Sequence, residues 1–279
     1  MKPIQMIAFD LDGTVLDSNK RLSSRNRNAL ADCAAMGICV VPTTGRSAAG
    51  IIPEIRNIPG VRYAITTNGG TITDLTTGEI LERQTIPNEK ALRLLRIIDR
   101  CHAMYDPYIR GRGISQPSFY DHMEEFGLTP VLQEMVRATR DVVPNILEYV
   151  EQTQEEVEKI NIYLADVRDR DGLRRELEQE PDLSITSSLY NNLEINSSTA
   201  TKGRALMWLA DHLGIPQEAT MALGDGGNDL SMIQAAGIGV AMDNGLESVK
   251  AAADFITGTN DEDGVAAAIE KFVLNSKGK

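Results

Sequence analysis

Short apolar runs alternate with helix-length segments in the first and last thirds of this chain, and several of those runs end on polar, glycine-containing loops. Ile4 to Phe9, Ile38 to Val41 and Tyr63 to Thr66 are the runs near the start. Thr220 to Leu223, Ile238 to Ala241 and Phe255-Ile256 are their counterparts near the end. Between them, Ser23 and Ser24 can cap a helix over Arg25 to Met36, closed by Gly37, and Thr201 can cap another reaching Leu213. A strand buried on both faces reads as an unbroken apolar run, and parallel neighbours need a long, usually helical, crossover. The pattern predicts an α/β fold, a Rossmann-like doubly wound parallel sheet with helices on both faces.

The middle is spaced differently. Asn88 to Cys101 reads as an amphipathic helix, and Val157, Ile160, Ile162 and Leu164 as a strand. Asp169 can cap a helix to Gln179, and Ile185 and Leu193 to Ile195 read as further strands. This predicts an inserted α+β domain over 83–190, with the core domain supplied by 1–82 and 191–279. With 279 residues and 42% hydrophobic side chains, the chain can bury a core in each part.

No run approaches the ~20 apolar residues of a membrane span, and the start lacks the pattern of a signal peptide. Cys33, Cys39 and Cys101 form no CxxC pair, which fits a reducing, cytoplasmic setting and buried or half-buried thiols. A formal charge of -12 argues against nucleic acid or an anionic membrane as partner. It leaves room for a small anionic substrate, because a metal and a few basic groups can reverse the field inside one cleft.

Ligands of parallel sheets bind outside the carboxyl ends of the strands. Four polar clusters should meet there: Asp10-Leu11-Asp12-Gly13-Thr14, Thr43-Thr44-Gly45-Arg46, Asn68-Gly69-Gly70 and Gly224-Asp225-Gly226-Gly227-Asn228-Asp229. Asp10, Asp12, Asp225 and Asp229 would then share a cleft, and like charges so placed call for a proton or a hard cation such as Mg²⁺. A calcium-binding EF-hand starting at Asp10 is excluded, because its sixth position would be Val15 and its twelfth Arg21. One carboxylate of the first cluster can attack phosphorus, and its neighbour two residues on can supply and take back a proton. Thr44 could donate to the same phosphate, and Lys202 at a helix start could add a point charge.

Asp10-Leu11-Asp12-Gly13-Thr14, Thr44, Lys202 and Gly224 to Asp229, in that order, resemble the four motifs of the haloacid dehalogenase-like (HAD) phosphatases. The tail is similar to the Cof-type branch. It runs from Gly237-Ile238-Gly239-Val240-Ala241-Met242 through Val249-Lys250 and Ala253-Asp254 to Glu262-Asp263-Gly264-Val265. The insertion after Asn68-Gly69-Gly70 resembles that branch's type IIB cap. The resemblance implies Asp10 as nucleophile and Asp12 as general acid/base, with Thr44 and Lys202 holding the phosphoryl group. It also implies Mg²⁺ on Asp225, the Asp10 carboxylate and the Asp12 carbonyl, with Asp229 in or beside that shell and Asn228 orienting Lys202 or the phosphate. Ser197 to Thr201 departs from the family, where relatives often carry a Gly-Val pair before the lysine.

The expected activity is hydrolysis of small phosphorylated metabolites through an aspartyl-phosphate, with the cap excluding water and selecting the leaving group. A phosphomutase would use the same intermediate, and a silent binding module should have lost one of the four key side chains. Gly45 and Arg46 are candidates for phosphate contacts. Tyr108 to Gly113 could offer Arg110 and Arg112 to a second anion or be an exposed turn. His102, His122 and His212 show no ligand spacing, Glu151 to Glu158 reads as a solvated face, and Trp208 reads as core.

Overall fold

The computed structural model describes residues 3–187 and 189–275; residues 1, 2, 188 and 276–279, which fall inside the expected domain ranges, lie outside it. The chain forms two compact units, one from Met1–Gly45, Ile51–Glu82 and Thr201–Lys279, the other from Arg46–Gly50 and Arg83–Ala200. The strands are β1 (Met6–Phe9), β2 (Cys39–Pro42), β3 (Tyr63–Thr66), β4 (Thr71–Asp74) and β5 (Ile80–Arg83). They continue as β6 (Ala103–Ile109), β7 (Arg112–Ser115), β8 (Arg140–Val142), β9 (Lys159–Leu164), β10 (Leu183–Thr186) and β11 (Asn192–Ser197). The last are β12 (Thr220–Gly224), β13 (Ile238–Ala241) and β14 (Phe255–Ile256).

In the first unit the order is β14-β13-β12-β1-β2, and every pairing is parallel. Thr43 bridges Ile65 in the parallel sense beyond β2, and β3 turns back antiparallel onto β4. Successive residues of a strand face opposite sides. Ile7, Phe9, Val40 and Leu223 join Leu30 and Ile269 in one layer, while Met6, Ala8, Val41 and Ala222 join Leu206, Leu209 and Ile233 in the other. Each of the larger side chains contributes roughly 1.5–3 kcal/mol by burial, and this two-sided packing holds the sheet in place.

Ser23 caps the helix Ser24–Ala35 by accepting from the Asn26 N–H, and Thr201 caps Lys202–His212 by accepting from Arg204. After Arg46 the chain forms only a 3-10 turn, Ala48–Gly50, and a four-residue helix, Pro53–Arg56. Pro53 has no N–H to continue a helix from upstream, so a new one starts there. Trp208 packs on the edge of its layer and stacks on His212 at 5.0 Å. Among the described residues no helix is long and apolar enough to cross a membrane.

The second unit is a six-stranded sheet, β10-β11-β9-β6-β7-β8, antiparallel except for β7 with β8. It extends past 190 to Ala200 because β11 pairs between β10 and β9. One parity of the strands (Ile160, Ile162, Leu164, Leu193, Ile195) packs with helix residues Leu94, Leu95, Val150 and Leu173. The other parity carries Lys159, Asn161, Tyr163, Asn192 and Glu194, all buried. At the β6–β7 turn, Arg110 pairs with Glu155 at 2.5 Å and Arg112 with Asp141 at 2.8 Å. Both guanidinium groups therefore already have a carboxylate within their own unit.

Candidate active site

Three of the expected clusters follow strand ends of the parallel sheet: Asp10 follows β1, Thr43 and Thr44 follow β2, and Asp225 follows β12. Asn68 lies just past β3, which meets the β2 end through the Thr43–Ile65 bridge. At their centre is Lys202, the first residue of its helix and fully buried. Its Nζ donates to Asp10 Oδ1 at 2.6 Å and to Asp229 Oδ1 at 2.5 Å. Gly203 makes that reach possible. A Cβ there would lie 2.2 Å from the Ser231 carbonyl oxygen, so only glycine lets this helix start sit against Leu230–Ala235. The Ser231 hydroxyl accepts from the Gly203 N–H.

Asp229 is engaged through both oxygens, because its Oδ2 accepts from the N–H groups of Asp225 and Gly226, both at 2.9 Å. It ties the loop to the lysine. Thr14 Oγ1 donates to Asp225 Oδ1 at 2.7 Å, joining the first and fourth clusters. Gly13 sits between them with φ +83°, and a Cβ would fall 2.5 Å from Asp225 Oδ2. Backbone conformation and close approach both demand glycine there.

One oxygen from each of Asp10, Asp225 and Asp229 lies within 4.8 Å of the others. Three carboxylates face one ammonium in a buried place. Burial pushes Asp10 up to about 8 against the pull of Lys202, with Asp229 pushing the same way as burial. Burial lifts Asp225 to about 6, opposed by the Thr14 hydrogen bond and reinforced by Asp229. For Lys202, burial works against the charge, but Asp10 and Asp229 outweigh it and hold the ammonium protonated. The excess negative charge and the all-oxygen donor set suit a hard divalent cation.

Asp12 is not part of that carboxylate group; its side chain meets Lys20 Nζ at 2.8 Å near the surface. Thr44 is buried, and its N–H donates to the Ile65 carbonyl. Arg46 Nη1 donates to the Gly50 carbonyl at 3.0 Å, within a segment that belongs to the second unit. Asn228 Nδ2 donates to Asn68 Oδ1 at 3.0 Å.

Two residues without an assigned role in the sequence reading stand out. Thr67 and Asn68 have φ of +50° and +60°, a costly stretch of backbone, and it sets Asn68 Oδ1 against both Asn228 and Gly45. Asn244 Nδ2 donates to the Gly13 carbonyl at 2.8 Å while its Oδ1 accepts from Asn260 N–H. Asn68 was visible within its cluster. Asn244 follows β13, a fifth strand end on the same edge.

A family model described as haloacid dehalogenase-like hydrolase matches residues 7–269. The chain is 34% identical over 281 residues to the phosphatase YwpJ of Bacillus subtilis, covering 94% of this chain and 98% of the relative. It is 32% identical over 271 residues to 5-amino-6-(5-phospho-D-ribitylamino)uracil phosphatase YcsE of the same organism, covering 97% and 96%. The crystal structure of a haloacid dehalogenase-like hydrolase from Bacteroides thetaiotaomicron superposes with a TM-score of 0.83 at 32% identity, covering 96% of this chain and 99% of the other.

Proposed function

The chain belongs to the haloacid dehalogenase-like hydrolases, and we propose that it is a Mg²⁺-dependent phosphatase of a small phosphorylated metabolite working through an aspartyl-phosphate. The observation that carries this is the buried contact of Lys202 Nζ with Asp10 Oδ1 beside the Asp225 and Asp229 carboxylates. Phosphate monoesters are among the slowest molecules to hydrolyse unaided, needing up to ~10²¹-fold acceleration. A nucleophile held in a dry, charge-rich loop cluster meets that need.

In this reading an Asp10 carboxylate oxygen forms a bond to phosphorus as the ester P–O bond breaks. Asp12, protonated, gives its proton to the departing oxygen. The Asp12 carboxylate then takes a proton from water, whose oxygen attacks the phosphorus of the aspartyl-phosphate. The acyl phosphate P–O bond breaks, returning the Asp10 carboxylate and inorganic phosphate. Thr44, the Gly45 N–H, Lys202 and Asn228 hold the phosphoryl oxygens. Asp10, Asp225 and the Asp12 carbonyl would hold Mg²⁺, with Asp229 beside them anchoring Lys202. Bound there, the cation supplies charge stabilisation to the phosphoryl oxygens.

Phosphate release from a panel of phosphorylated metabolites tests this, with Mg²⁺ or chelator, for wild type and Asp10→Asn. Metal-dependent release by wild type that vanishes in the variant is the expected result. Release that survives Asp10→Asn would overturn the covalent mechanism.

A further inference from the structure

Gly13 stands between Asp12 and Thr14 in the loop that follows β1. With no Cβ it adopts either sign of φ, so the peptides flanking it have the least conformational preference of their own. Both of its neighbours nevertheless have to stay in place. The Thr14 hydroxyl holds Asp225 Oδ1 at 2.7 Å, and in the phosphatase reading the Asp12 carbonyl would face the cation. A group outside the loop has to fix the backbone between them.

That group comes from the segment after β13. Asn244 Nδ2 donates to the Gly13 carbonyl at 2.8 Å. A trans peptide carries its carbonyl and the following N–H on opposite sides, so this one bond sets the plane of the Gly13–Thr14 peptide. The same segment grips the fourth cluster by its backbone. The Met242 N–H donates to the Gly224 carbonyl at 3.0 Å and the Leu246 N–H to the Asp225 carbonyl at 2.9 Å. Gly245 lies so near that a Cβ would come 3.1 Å from Asp225 Cα. The contacts close a ring. It runs from the Asp225 backbone to Leu246, along the chain to Asn244, across to Gly13, and from Thr14 back to the Asp225 carboxylate.

Asn244 is itself aimed. Its Oδ1 accepts from the Asn260 N–H at 2.9 Å, which turns Nδ2 toward the Gly13 carbonyl. Two more side-chain amides take carbonyls further along the loop. Asn26 Nδ2 donates to the Val15 carbonyl at 3.1 Å and Asn260 Nδ2 to the Leu16 carbonyl at 3.0 Å. Asn26 and Asn260 are buried, so their bonds bear on folding as well as on loop shape. Asn244 is exposed, and a surface side chain of that kind contributes little to stability. The orientation of the Gly13–Thr14 peptide is what its bond controls.

We propose that Asn244 is a positioning residue for the cation site, acting through the Gly13 carbonyl to set the Asp12–Gly13–Thr14 backbone against Asp225. This rests on the Mg²⁺-dependent phosphatase reading and adds to it a residue from outside the four sequence clusters.

Calorimetric titration of the full chain with Mg²⁺ alone tests the assignment, alongside the melting temperature in chelator. Asn244→Ala should raise the Kd for Mg²⁺ about fivefold to tenfold, the effect of one lost hydrogen bond. Its melting temperature in chelator should stay within about 2 °C of wild type. Asn88→Ala is the structural control. Asn88 Nδ2 donates to the Val150 and Glu155 carbonyls of the second unit, both at 2.8 Å, so this variant should melt earlier and bind Mg²⁺ as wild type does. A Kd unchanged in Asn244→Ala, or raised as much by Asn88→Ala, overturns the proposal. So does a raised Kd that comes with a lowered melting temperature in Asn244→Ala, the mark of a merely structural role. Asp225→Asn should abolish binding however Asn244 behaves. The cation site is therefore judged on wild type and Asp225→Asn, and the role of Asn244 on Asn244→Ala. Wild type that binds no Mg²⁺ would overturn both.

Discussion

The two units each bury a cluster of charged side chains, and the clusters differ in their arithmetic. Around Lys202, three carboxylates share one ammonium. On the inserted sheet each acid has its own base, Asp106 with Arg140 and Glu194 with Lys159. Imbalance costs free energy in a buried place unless a proton or a cation offsets it. A matched acid and base carry no such excess.

The sharpest test sets one isosteric change in each cluster side by side. Asp10→Asn should lower phosphate release by ~10⁴-fold or more, the scale of losing a nucleophile. Asp106→Asn should lower it by no more than about 10²-fold, the scale of lost positioning. Equal losses in a steady-state assay would break the comparison.

Stability should separate the clusters next. Arg140→Met leaves the buried Asp106 carboxyl without the cation it is hydrogen-bonded to, and denaturant unfolding should show a loss of about 3–5 kcal/mol. Replacing both, Arg140→Met with Asp106→Leu, should recover most of it, because a balanced pair is exchangeable for apolar packing.

The unbalanced cluster should instead answer to metal and pH. A carboxyl raised in the fold contributes stability below its unfolded pKa and loses it as pH rises through the folded value. With chelator, Asp10 and Asp225, raised from 3.8 to about 8 and about 6, should make the melting temperature fall between pH 4 and pH 8. Mg²⁺ at a hundredfold over its Kd should restore about 2.7 kcal/mol near neutral pH, and Asp225→Asn should abolish most of that gain. A melting temperature indifferent to Mg²⁺ at pH 8 would contradict the charge argument.

The smallest effect concerns Asn68. Asn68→Ala removes the acceptor for Asn228 and should raise KM about fivefold, one hydrogen bond's worth, with kcat changed less. Asn68→Gly, free of the left-handed penalty, should share the KM rise without the stability loss.

Much of the first unit was legible because its signals are local. Apolar runs, Ser23 and Thr201 as caps, and polar clusters after strands are all read within a few residues, and the parallel sheet then carries the clusters to one edge. The inserted unit was harder. The apolar parity of β9, Ile160 and Ile162, marked a strand, while nothing local in the polar parity, Lys159 and Asn161, signalled its burial. Arg140 carried no signal at all, because its meaning lies in Asp106, 34 residues away.

By itself, the sequence determined the strand–helix alternation, the loops at the strand ends and the residue types those loops carry, since periodicity and turn chemistry act over short distances. Tertiary structure alone decided which groups touch. Lys202 reaches Asp10 across 192 residues of chain, and the register of β6 on β9 places Asp106 opposite Asn161. Contacts of that kind come from packing two layers on one sheet and from strand register, and a shift of one residue would turn every side chain to the other face.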